Sequence, residues 1–158
     1  GGLRTYVAHG TIVVGTPANL EFYRTVMFYP MPRTLQPDRL ATFSPMNTHN
    51  RSPFLMEPVN LQYVISDGVR TLELHPVARN SHAVGMLMAY LPTEKILVNA
   101  DLYSPPAPNA PAAPPGPTMT NLLENIRRLK LDVVQHVPIH GVPGTHEDFL
   151  TRVAGGTQ

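Results

Sequence analysis

The 158 residues carry twelve Lys and Arg against eleven Asp and Glu, a net charge of +1, so charge makes no case for nucleic acid or an anionic membrane as a partner. Cysteine is absent, which excludes disulfides and thiolate metal sites, and every apolar run falls short of the ~18 residues that a membrane-spanning helix requires. A hydrophobic content of 42% supports a packed core, and the length suits a single domain over 1–158, with 18 prolines gathered between elements as long loops.

Leu3, Tyr6 and Val7 at helical spacing predict a helix over 1–9, with Gly10 just past its end. Thr11–Val14 is β-branched and reads as a short strand. Ala18–Phe28 reads as a second helix. Residues 29–58 contain six prolines and predict an irregular connection with at most a short helical turn; a segment of that length is a functional-loop candidate. Val59–Ile65 and Val69–Leu74 flank Ser66-Asp67-Gly68, and Asp-Gly between apolar runs predicts a hairpin.

Residues 81–101 read SHAVGMLMAYLPTEKILVNAD. Ala83–Leu91 predicts a buried strand, Pro92-Thr93-Glu94 a turn, and Lys95–Ala100 a second strand. Antiparallel strands joined by a short turn return to one end of a sheet. His82 before the first strand and Asp101 after the second, nineteen residues apart, are thereby brought close in space. A neutral imidazole and a carboxylate so placed are two potential ligands for a zinc-like metal.

Residues 103–117, YSPPAPNAPAAPPGP, predict a surface loop of polyproline character or a lid over the cleft beside Asp101. Thr118–Lys130 is the clearest helix. Thr120 is its candidate N-cap, Leu122, Leu123, Ile126 and Leu129 its apolar stripe, and Asn125 lies on its polar side. Val133–Ile139 predicts a strand. Thr145 and Asp148 form a capping pair for a last helix that buries Phe149, Leu150 and Val153.

The 81–101 stretch resembles the metallo-β-lactamase fold of metal-dependent hydrolases. There a metal-binding His is followed by a strand, a Leu-Pro-x-x-Lys turn, and a strand that delivers a bridging Asp, usually as Gly-Asp. Here the turn is LPTEK, and Asp101 arrives as Asn99-Ala100-Asp101-Leu102, with Ala100 in place of Gly. Val137-Pro138-Ile139-His140-Gly141 resembles the family's last metal-binding His after a strand. GGLRTYVAHGTIVVG resembles the segment just downstream of its first metal motif.

The resemblance implies an α/β fold, an αββα-type sandwich of mostly antiparallel sheet with flanking helices. It implies His82 on one metal, His140 on the other and Asp101 bridging them at the catalytic centre. The implied cofactor is zinc, one or two ions, and the nucleophile toward a small-molecule substrate is a metal-bound water. The family's first motif, His-x-His-x-Asp-His, does not occur: the histidines are His9, His49, His75, His82, His136, His140 and His146, and no two are separated by one residue. The expectation is therefore the C-terminal part of such a domain, lacking the N-terminal strands, with weak or absent zinc and no hydrolysis by this chain alone. A non-catalytic association module on the same fold is the alternative. Substrate and cellular location stay open. Loss of the N-terminal strands would uncover the apolar side of Thr11–Val14 and part of the Val59–Leu74 hairpin, which predicts a homodimer.

The remaining histidines carry less. His136 and His75 read as core or surface residues, His146 as solvated, and His9 as a favourable charge at a helix end. Arg4 reads as a surface or ion-pair residue. There is no Gly-x-Ser-x-Gly and no phosphate-cradling glycine loop.

Overall fold

The computed structural model describes residues 2–27, 36–43, 55–106 and 114–155. Their contacts form two compact units, 1–59 and 60–158.

In the first unit, helix α1 (Leu3–Ala8) ends at His9, and Gly10 takes the left-handed conformation (φ +78°) that favours glycine after a helix. Strand β1 (Val13–Gly15) leads through Thr16 into α2 (Pro17–Phe22), which starts with proline at its first position and continues as a π-helical turn over Tyr23–Met27. After α3 (Arg39–Phe43), strand β2 (Met56–Pro58) pairs parallel with β1, Val13 opposite Met56. Val7, Val13 and Leu40 make a small core. Arg4 is buried and forks onto Asp38 through Nε and through Nη2 (3.0 Å), the ion pair expected of it. Of the proline-rich connection 29–58, only 36–43 and 55–58 are described.

The second unit is a six-stranded sheet in the order β3-β4-β5-β6-β7-β8: β3 (Tyr63–Ser66), β4 (Thr71–Pro76), β5 (Leu87–Leu91), β6 (Ile96–Asn99), β7 (Gln135–Pro138) and β8 (Gly144–Thr145). Every pairing is antiparallel except β6 with β7. The Asp-Gly hairpin forms as expected: Ser66 pairs with Thr71, and Asp67 Oδ1 accepts from the amides of Val69 and Arg70. The first strand of the 81–101 hairpin is shorter than Ala83–Leu91. Gly85 adopts φ +76°, which interrupts the extended backbone, and the strand begins only at Leu87.

Helices α4 (Pro117–Leu129) and α5 (His146–Ala154) pack on one face of this sheet. Met88, Tyr90 and Leu97 from the strands meet Leu122, Leu123, Ile126 and Phe149 from the helices, and Leu97, Leu122 and Phe149 are fully buried. Burying a side chain of this size contributes roughly 1.5–3 kcal/mol. The result is a mostly antiparallel sheet with flanking helices, the α/β class expected from the sequence.

Three local expectations fail. The N-cap of α4 is Gly116, not Thr120, because Pro117 with its fixed φ takes the first helical position and starts the helix a turn earlier. Asn125 is buried rather than water-facing, and Leu150 is 40% exposed. The Pro/Ala segment opens on a core residue, Tyr103, and returns to solvent at Ser104. Residues 107–113 of it lie outside the described residues.

Candidate metal centre

Three loops at one end of the second unit's sheet carry the residues singled out above. His82 precedes β5, Asp101 follows β6 and His140 follows β7. The start of β5 lies beside the end of β6 because the two are antiparallel; the ends of β6 and β7 coincide because they are parallel. Topology alone therefore gathers the three side chains. Asp101 Oδ1 lies 2.8 Å from His140 Nδ1, and Asp101 Oδ2 lies 3.7 Å from His82 Nε2. Each carboxylate oxygen faces a different imidazole. All three side chains are open to solvent.

The backbone beneath them is fixed by residues that sequence patterns did not mark. Asp101 holds a left-handed φ of +60°, a conformation open to Asp because its short polar side chain tolerates it. The turn around it is closed by buried Asn99, whose Oδ1 accepts from the Tyr103 amide (3.0 Å), while the Asn99 carbonyl accepts from the Ile139 amide (2.9 Å). Ser104 Oγ donates to the His140 carbonyl (2.7 Å). Asn80 Oδ1 accepts from the His82 amide (3.0 Å), and Asn80 Nδ2 donates to the Ala83 carbonyl (3.3 Å).

The strand-to-loop passage that leads to His82 is clamped by α4. Asn125 Oδ1 accepts from the Ala78 amide (2.9 Å), and its Nδ2 donates to the Ala78 carbonyl (3.1 Å). Asn121 Nδ2 donates to the carbonyls of Ala78 (2.9 Å) and Arg79 (3.1 Å). A pair of asparagines four apart on a helix lies on one face; that spacing is the only sequence signal, and asparagine's usual preference for solvent and turns hides it.

The chain resembles solved structures of one kind. A metallo-beta-lactamase from Pontibacter korlensis is similar at a TM-score of 0.60 and 16% identity, over 98% of this chain and 61% of that one. This chain has the metallo-β-lactamase fold. Two further solved structures are similar over slightly less of this chain. The rubredoxin oxygen:oxidoreductase of the anaerobe Desulfovibrio gigas matches at TM-score 0.55 and 14% identity, over 92% of this chain and 36% of that one. The flavodiiron protein of Giardia intestinalis matches at 0.53 and 17%, over 92% and 35%. The chain thus spans about three fifths of the first of these proteins and about a third of the other two. No protein-family model matches the sequence, and no curated protein matches it.

On the metallo-β-lactamase fold, imidazole nitrogens and a carboxylate are donors suited to zinc or iron. The residues here fit such an ion in kind, with each Asp101 oxygen nearest a different imidazole. They fall short in arrangement. Among the described residues no group of three or more His, Cys, Asp or Glu side chains is arranged to hold a metal ion.

The other histidines separate clearly. His136 is fully buried, its Nε2 2.9 Å from His146 Nδ1. His146 is accordingly not the solvated residue expected: it stacks on His136, with ring centroids 5.2 Å apart. Burial pushes His136 down to about 4, with His146 adding to the shift, and burial lowers His146 too. Buried His75 lies 2.9 Å from Glu73 across the same face of β4. His9 Nε2 meets Arg39 Nη1 at 2.8 Å.

Proposed function

We propose that this chain supplies His82, Asp101 and His140 to the metal centre of a metal-dependent hydrolase on the metallo-β-lactamase fold. His82 and His140 would each hold an ion through an imidazole nitrogen, and the Asp101 carboxylate would be shared between them. Zinc is the ion proposed. When bound, it would act as a Lewis acid that makes water a competent nucleophile at neutral pH toward a small-molecule substrate. The observation that carries this proposal is the two-sided carboxylate, with one Asp101 oxygen turned to each imidazole. Asn80, Asn99 and Ser104 hold the three backbones so that their donor atoms stay at the same sheet end. The 1–158 sequence forms one such domain's share of the site, and this share alone does not hydrolyse, because each ion finds only one imidazole and one shared carboxylate against the three protein ligands of a catalytic zinc.

The missing cluster of three donors among the described residues also favours a second function, a non-catalytic association module that keeps the fold without the chemistry.

Zinc titration of the full chain, followed by imidazole nitrogen resonances and by thermal melts, tests the proposal. His82 and His140 should shift together, only at zinc far above micromolar, with a rise in Tm that Asp101→Asn abolishes. Shifts confined to other histidines would refute the ligand assignment, and so would a response that Asp101→Asn leaves intact. The same titration with Fe(II) identifies the metal: tighter binding of iron than of zinc at the same three residues overturns zinc.

A further inference from the structure

We propose that the His136–His146 pair is an acid-operated latch: neutral, it docks α5 and the Tyr103 turn onto the sheet; protonated, it releases them. This goes beyond the metal-centre proposal and does not rest on it.

The pair sits in a closed aromatic pocket. His136 projects from β7 with no solvent exposure. The Phe149 ring lies 4.6 Å from His136 and 5.6 Å from His146, and Tyr103 meets His136 edge-on at 5.3 Å and Phe149 at 4.8 Å. Two of these four rings come from α5, one from β7, and one from the segment that follows Asp101. Among the described residues of this pocket, the imidazole pair and the Tyr103 hydroxyl are its polar groups.

Neutral imidazoles suit that pocket, since one nitrogen donates and the other accepts. An added proton on His136 does not, whichever tautomer is present. If His136 Nε2 donates to His146 Nδ1, the new proton goes to His136 Nδ1, which is buried and has no partner among the described residues. If His146 Nδ1 donates instead, the new proton on His136 Nε2 faces a hydrogen already there, whereas a proton on His146 Nε2 spares the bond and charges the outer, half-buried ring. Burial disfavours the charge on either ring and most on His136.

Among the described residues no neighbouring element brings a countercharge to His136. Leu97 of β6 and Gly144 of β8 flank His136 in the sheet. Helix α4 contributes Leu122, Leu123 and Ile126 to the adjoining core. On α5, Asp148 is engaged with Thr145 at the helix start, and both Asp148 and Arg152 act on Tyr103. The one charged or chargeable group felt by His136 is His146 itself, and it opposes protonation.

Release of α5 would not stay local. Tyr103 packs against both His136 and Phe149, and its amide closes the Asn99 turn that carries Asp101. Loosening the pocket loosens that turn.

Amide hydrogen exchange of the full chain between pH 7 and 4.5, expressed as protection factors, tests the latch. A histidine that titrates at about 4 when docked and at its ordinary 6.5 when released changes the opening equilibrium by about tenfold per pH unit in that interval. Protection over 146–154 should therefore fall by about fortyfold between pH 6.5 and 4.5, while β5 and β6 hold. The double variant His136→Phe/His146→Phe, which keeps the ring stacking, should be flat; should it not fold, the single variant His136→Phe, which removes the more deeply buried titrating ring, must show a shallower slope than wild type. A flat wild-type profile overturns the proposal. So does a variant slope equal to wild type, or a parallel loss of protection in every element, which would be global unfolding and not a latch.

Discussion

Asn125→Ala separates two opposite views of one residue. On a water-facing helix surface, replacing Asn by Ala raises helix propensity and stabilises by roughly 0.5 kcal/mol. In the structure Asn125 is 2% exposed, and its amide bridges α4 to both backbone groups of Ala78, forty-seven residues away. Its Oδ1 also accepts from Arg128 Nη2 (2.9 Å), and its Nδ2 donates to the Asn121 carbonyl. Truncation orphans the Ala78 amide and weakens the satisfaction of the Ala78 carbonyl, which Asn121 still serves. An unsatisfied buried backbone group costs about 1–3 kcal/mol, and a small cavity adds to that. The net expectation is a loss of about 2–4 kcal/mol, or roughly 5–15 °C in Tm for a chain of this size. Urea denaturation followed by far-UV circular dichroism measures it. A variant as stable as wild type, or more so, would refute the clamp and return Asn125 to the surface. Because Ala78 leads to Asn80 and His82, the same variant should broaden the His82 imidazole resonances while leaving His9 unchanged.

Thr145→Ala removes the hydroxyl that accepts from the Asp148 amide at the start of α5 and should cost about 1 kcal/mol in the same denaturation assay. Self-association should be measurable: Leu61, Val64, Ile65 and Val69 are each at least 45% exposed on and around β3, the outer strand of the sheet, and an apolar strand edge favours pairing with a second copy. Light scattering over a concentration series should show mass above one chain, and a strictly monomeric 17.4 kDa species at high micromolar concentration would refute it.

Much of the second unit was legible because its signals are local. Asp67-Gly68 specifies a tight reversal wherever it sits between apolar runs. LPTEK does the same, and a hairpin once formed returns His82 and Asp101 to one end by geometry alone. The parallel placement of β7 beside β6 then brings His140 to the same end. Thr145 caps α5 because an N-cap needs only its own next three residues.

What the sequence by itself could not decide is the environment of polar side chains whose partners are distant in the chain. Asn121 and Asn125 have the composition of a wet helix face, and only the approach of Ala78 and Arg79 makes them buried clamps. His146 follows a cap and precedes two acidic residues, a context that reads as solvent until β7 lays His136 against it. Tyr103 opens a proline-rich segment yet belongs to the core, since its ring packs against both His136 and Phe149. Periodicity and turn chemistry act over a few residues and determined the elements; desolvation and long-range hydrogen bonding depend on which elements meet, and only the tertiary structure decided those.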